Sequence, residues 1–133
     1  MSTLHPWERR IFIDTEFTDI AAPRLISIAM VAEDGPEFCT EQAHVDGNTC
    51  SAFVLDSMLP QLGADPTRVM EQTVLREAAR IWMSTFTRLK QRPVICYDHP
   101  VGLQLLWELL GERTVGWKVK LISSRIDSVT WEE

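Results

Sequence analysis

The segment "IFIDTEF", residues 11–17, places two acidic side chains inside an apolar, strand-like run, and this constrains the fold more than any other feature. Successive side chains of a β-strand point to opposite faces, so Asp14 and Glu16 lie on the same face as Phe12. They are separated by about 6.5 Å of strand. Two carboxylates this close, beside a hydrophobic core, repel each other and lose hydration. A bound cation would offset that cost.

Composition sets the limits for the rest of the chain. Its 133 residues fit one domain over 1–133, and a hydrophobic content of 45% is enough for a packed core. The formal net charge of −6 gives no general attraction for nucleic acid, so any phosphate contact must come from metal ions or local basic residues. The candidates, each of which also fits an ordinary solvated charge, are Arg9, Arg10, Arg24, Lys118 and Lys120.

The three cysteines, Cys39, Cys50 and Cys96, form no C-x-x-C pair, which argues against a zinc site. An odd cysteine count without a secretory signal predicts a reducing, cytoplasmic location. Cys96 fits a small core residue. No apolar run approaches the ~20 residues of a membrane span, so we expect no membrane association.

Hydrophobic periodicity predicts a mixed α/β order of elements. Three strands in a meander come first, then two helical segments, a buried strand, a helix that ends at a glycine, and a last segment that is either a strand or an extended tail. The predicted ranges are 9–14, 24–33 and 37–45 for the meander, 51–63 and 65–91 for the helical segments, then 93–98, 99–111 and 117–122.

A strand reached through a crossover helix usually lies parallel to an earlier strand of the same sheet. We therefore place strand 93–97 beside strand 9–14. Ligands of such sheets bind beyond the carboxyl ends of the strands, where Asp14 and Asp98 each close a strand. The topology thus predicts that Asp98 meets Asp14 and Glu16.

Three converging carboxylates form a hard, oxygen-rich site that suits one or two Mg²⁺ or Mn²⁺ ions. Such ions activate water and stabilise the leaving oxygen in phosphodiester hydrolysis. Simpler interpretations stay open at this point. Asp14 and Glu16 also fit an exposed strand end, Asp98 fits a helix cap before "HP", and His99 fits a helix-start residue. No phosphate-loop or nucleophile-elbow motif occurs.

The segments "FIDTEF", "LISIAMVAEDG" and "ICYDHPVGLQLLWELLG" together resemble a small bacterial 3′-5′ exoribonuclease family of the DEDD type, known from mycobacteria. The likeness runs from about Ile11 to Gly111. It implies a ribonuclease H-like fold, a divalent metal cofactor, and Asp14, Glu16 and Asp98 as catalytic metal ligands. We also expect Thr15, Phe17 and His99 to contact the substrate, with Phe17 as a surface for base stacking.

The sequence departs from the family at the third motif, H-x-x-x-x-D, which would supply a general base and a fourth carboxylate. None of His5, His44 and His99 is followed five residues later by an acidic residue, and Asp127 has no matching histidine. We therefore expect a C-terminally truncated version of the fold. Loss of a general base typically costs 10²–10⁴-fold in rate, roughly.

Two functions remain in competition. The first is a metal-dependent 3′-5′ exonuclease that acts on RNA or another single strand and has weak or absent activity. The second is a non-catalytic nucleic-acid- or protein-binding protein on an exonuclease scaffold. In either case the missing helix predicts a homodimer, or a partner that supplies it, because an uncovered face would expose apolar area.

Overall fold

The computed structural model describes residues 8–87, 92–111 and 117–122, which form a six-stranded mixed sheet with two α-helices. The strands lie in the order β4-β3-β2-β1-β5-β6. Their bounds are β1 Glu8–Phe17, β2 Leu25–Ala32, β3 Glu37–Gln42, β4 Val69–Met70, β5 Arg92–Tyr97 and β6 Lys118–Leu121. The helices are α1 Gln72–Thr87 and α2 Pro100–Leu110. The predicted α/β class is confirmed.

Strands β1, β2 and β3 form the predicted antiparallel meander. The turn at 33–36 closes through a hydrogen bond from Gly35 N–H to the Ala32 carbonyl, and Gly35 has a φ of 122° that favours glycine. Strand β5 lies parallel to β1, as the crossover rule predicts. The last segment is a strand, since β6 pairs in parallel with β5.

Both helices pack on the same face of the sheet, here called the helix face. Ile11 and Ile13 of β1 enter one buried cluster with Leu75 of α1 and Leu106 of α2. Leu75 and Leu106 are fully buried, and Ala79 and Phe86 of α1 join them in the core. Apolar burial at these positions supplies the main driving force for the fold.

Helix α2 sits directly on β1 because Gly102 has no side chain. A Cβ added at Gly102 would lie 3.0 Å from Thr15 Oγ1. At its other end, α2 is held to α1 by Arg76 and Arg80, whose guanidinium groups donate to the carbonyls of Leu109 and Leu110. These contacts fix where α2 begins, and therefore where Asp98 and His99 lie.

The region between β3 and α1 differs from the prediction. Segment 51–63 contains a π-helical turn at Val54–Met58 and a 3₁₀ turn at Leu59–Gln61 in place of one regular α-helix. Ser51 does cap it, since its hydroxyl accepts from Val54 N–H at 3.3 Å. Pro60 lacks the N–H that an α-helix needs, which explains the irregular end.

The predicted helix at 65–91 begins later than expected. Pro66–Arg68 form a 3₁₀ turn, and Val69–Met70 pair with the end of β3 before α1 starts at Gln72. Strand β1, in contrast, is longer than predicted and continues to Phe17. In the described part of the chain, neither helix has the length and apolar character needed to cross a bilayer.

Candidate metal site

The sheet register brings Asp98 next to Asp14. Strands β1 and β5 run parallel with Phe12 opposite Cys96, and β5 ends at Tyr97. Continuing this register by two residues sets Asp98 beside Asp14, across one strand spacing of about 4.8 Å. Two segments far apart in sequence therefore place their carboxylates at the same edge of the sheet.

The carboxylates lie on the face opposite the helices, here called the carboxylate face. Ile11 and Ile13 point into the helix-side core, so the intervening Phe12 and Asp14 point the other way. Phe12 is 37% exposed, as is Val31 of β2, which pairs with it. Both described α-helices pack on the other face, and the acidic side chains therefore remain accessible.

Electrostatics connect the three predicted ligands through Asp14. Partial burial raises the pKa of Asp14, the charge of Asp98 raises it further, and the Thr15 backbone N–H acts in the opposite direction. Burial also raises the pKa of Glu16, with the charge of Asp14 as the second cause. The charge of Asp14 is thus unfavourable for both of the other carboxylates.

The arrangement is best described as two acidic pairs that share Asp14. Among the described residues, no three His, Cys, Asp or Glu side chains are grouped closely enough to hold a metal ion as they stand. The donor set nevertheless consists of carboxylate oxygens alone, which is the chemistry that Mg²⁺ and Mn²⁺ prefer. The role of these residues as metal ligands stays a prediction.

Asp98 is not the helix cap that its position before "HP" would suggest. His99 is the N-cap of α2, and its Nδ1 accepts from Val101 N–H at 3.1 Å. Pro100 occupies the first turn, where its missing N–H costs nothing. Asp98 therefore lies one residue outside the helix, at the end of β5.

The three predicted substrate contacts occupy different surroundings. Thr15 lies on the helix face, directly under Gly102, and so on the opposite side of β1 from Asp14. Phe17 and His99 lie together, with ring centroids 6.1 Å apart. A register irregularity between Glu16 and Phe17 changes the direction of the strand at this point.

Two features near this edge were not found from sequence. The Ser51 N–H donates to the Thr18 carbonyl at 2.8 Å, so the turn containing Phe53 joins the end of β1. Phe53 is 68% exposed. Its exposure carries no local sequence signal, because an apolar residue in a helical turn is more often core.

The second feature is a cavity of about 570 Å³ on the helix side of the β1 end. Its wall includes Thr18, Arg24, His44, Glu71 and Leu105. His44 has a left-handed φ of 61°, and its Nε2 lies 2.8 Å from Glu71 Oε1. The cavity combines loop residues with residues of α2, and no periodicity of the sequence predicts that they meet.

Comparison with known proteins supports a nuclease relationship. The chain is 32% identical over 106 residues to a curated 3′-5′ exoribonuclease that is found in two strains of Mycobacterium tuberculosis. The match covers 74% of this chain and 61% of the relative, so the chain spans less than two thirds of the relatives' length. No family model matches. The chain is thus a distant relative of proteins named as exoribonucleases.

Proposed function

We propose that this protein is a divalent-metal-dependent 3′-5′ exonuclease of the DEDD type that acts on RNA or another single-stranded nucleic acid. The observation that carries the proposal is the strand register, which sets Asp14 and Asp98 at neighbouring strand ends. Bringing two carboxylates together costs free energy, and a cation bound between them would offset that cost. The names of the distant relatives support the same chemistry.

Asp14, Glu16 and Asp98 would hold one or two Mg²⁺ or Mn²⁺ ions. When bound, the metal supplies an activated water and stabilises the leaving oxygen of the phosphodiester. Phe17 and the exposed Phe53 would offer ring faces on which bases stack. His99 would serve mainly to position Asp98, since its Nδ1 caps α2.

Residues 1–133 contain no histidine that is followed five residues later by an acidic residue, so they do not include the third motif that supplies a base in the resembled family. We expect residues 1–133 on their own, without a positioned general base, to turn over about 10²–10⁴-fold more slowly than a complete site.

A second candidate is a nucleic-acid- or protein-binding protein without turnover. The apolar part of the carboxylate face favours it, because Phe12 and Val31 are each 37% exposed on a sheet surface that no described α-helix covers. Such a face suits a homodimer or a partner helix. A monomer at high concentration in multi-angle light scattering would count against the homodimer.

We also propose a cytoplasmic location. The described cysteines, Cys39, Cys50 and Cys96, are all free thiols, as a reducing compartment requires.

Degradation of a 3′-labelled and a 5′-labelled RNA with Mn²⁺ tests the proposed activity and its direction. Asp14→Asn, Glu16→Gln and Asp98→Asn should each abolish Mn²⁺-dependent cleavage, whereas Asp56→Asn, at an exposed acidic residue of the π-helical turn, should not. Cleavage that survives Asp14→Asn would refute the proposed site. Binding of RNA without cleavage would favour the second candidate.

A further inference from the structure

A basic side chain next to an acidic site favours the binding of a polyanion there. The whole chain carries a formal net charge of −6, and the three carboxylates add local repulsion. Most described basic side chains already have partners. Ion pairs join Arg9 to Asp34, Arg10 to Glu33, Arg68 to Asp65 and Lys118 to Glu8. Arg76 and Arg80 donate to carbonyls at the end of α2.

Among the ion pairs formed within residues 8–87, 92–111 and 117–122, none involves Arg24 or Lys120. Arg24 lines the cavity together with Leu105 of α2, on the helix face. Asp14 lies on the carboxylate face. Arg24 therefore lies on the opposite face of the sheet from a single-stranded nucleic acid bound at Asp14.

Lys120 lies on the same face as the acidic cluster. In the paired register, Lys120 of β6 is opposite Cys96 of β5, and Cys96 is opposite Phe12 of β1. Residues opposite each other share a face, so Lys120 shares the face of Phe12 and Asp14. It lies about 10 Å across the sheet from β1 and about 6.6 Å along the strands from the level of Asp14.

The charge of Lys120 acts on this surface. Burial raises the pKa of the Cys96 thiol, and the charges of Arg10 and Lys120 oppose that increase. Lys120 itself is exposed, and its long, flexible stem can reach toward Asp98 on the neighbouring strand end. The Ile122 N–H donates to the Tyr97 carbonyl, so the alignment of β6 with β5 continues to the level of the site.

We propose that Lys120 binds a backbone phosphate of the single-stranded substrate next to the bond that is cleaved. The nucleic acid would then cross the carboxylate face from β1 toward β6. This inference rests on the proposed function and deepens it. Lys120 acts here as a substrate-binding residue and takes no part in the bond-breaking step.

The chain offers a matched control in Lys118, which has the same side chain type on the same strand and face but is paired with Glu8. The test measures binding of a fluorescein-labelled single-stranded RNA by anisotropy, at several salt concentrations and with EDTA. Lys120→Ala should weaken binding about fivefold and reduce the slope of log K against log salt by about 0.7. Lys120→Arg should restore most of both, and Lys118→Ala should have a much smaller effect.

In the cleavage assay, Lys120→Ala should raise KM about fivefold and leave kcat nearly unchanged, because the contact is made equally in the ground and transition states. Equal effects of Lys120→Ala and Lys118→Ala on the salt slope would overturn the inference. So would a wild-type protein that binds no RNA at low salt. The proposed function can fail separately from this inference. In that case the protein binds RNA in a way that depends on Lys120 but does not cleave it with Mn²⁺.

Discussion

Replacing Asp14 with asparagine should make the metal-free protein more stable while removing its response to metal. Asp14 is opposed by the charges of both Asp98 and Glu16, and burial adds to the cost of its ionised form. Because the side chain is only partly buried, solvent screens each like-charge contact to about 0.2–1 kcal/mol. Relief of both contacts should raise the free energy of unfolding by about 1 kcal/mol.

For a chain of this size, that gain corresponds to an increase in Tm of about 4 °C. Metal binding acts in the opposite direction. At an Mn²⁺ concentration of 100 times the Kd, the wild type should gain about 2.7 kcal/mol, whereas the variant should gain little. The order of stability therefore reverses, from variant above wild type in EDTA to wild type above variant in Mn²⁺.

Scanning calorimetry of both proteins, in EDTA and in Mn²⁺, measures this reversal. Asp56→Asn serves as the control, since it removes one exposed negative charge from the π-helical turn. If Asp14→Asn unfolds at or below the wild-type Tm in EDTA, the carboxylates do not repel each other as described. If Mn²⁺ raises the Tm of the variant as much as that of the wild type, Asp14 is not a ligand.

The remaining predictions concern pH and packing. The raised pKa values of Asp14 and Glu16 mean that the folded protein holds protons that the unfolded chain releases, so the stability of the wild type falls as pH rises through the raised pKa values. In urea unfolding, the stability advantage of Asp14→Asn over the wild type should therefore grow with pH. A difference that stays constant with pH would contradict this prediction. Calorimetric titration should show Mn²⁺ affinity rising over the same pH window. Gly102→Ala should lower the free energy of unfolding by about 1 kcal/mol, because the new Cβ would lie 3.0 Å from Thr15 Oγ1. Adding Thr15→Ala should recover part of this loss, and urea unfolding measures both effects. Leu106→Ala should lower the free energy of unfolding by about 2–5 kcal/mol, because the leucine side chain is fully buried. A smaller loss would mean that neighbouring side chains relax to fill the cavity.

Local pattern was sufficient to predict the elements that position the site. Alternating apolar residues predicted β1 to β3, and the "HP" start and Gly111 end delimited α2. The crossover rule then placed β5 beside β1 without any knowledge of contacts. The proximity of Asp98 to Asp14 followed from topology alone.

Other features depend on contacts that the local sequence does not encode. Strand β4 has two residues and exists only through its pairing with β3. The helical turns before it are interrupted at Pro60 and Gly63, where neither α-helical hydrogen bonding nor regular periodicity can continue. Thr15 lies under α2, where Gly102 allows the helix to approach, and its contact with the substrate stays a prediction.

The alternation of side chains along β1 gives the two faces of this strand different roles. Ile11 and Ile13 belong to the buried cluster that maintains the fold, whereas Asp14 points to the other face. Mutations that erase or alter the chemistry can therefore accumulate without loss of foldability. During evolution such a protein can keep its fold after losing its original reaction and can come to bind a new ligand on the same surface.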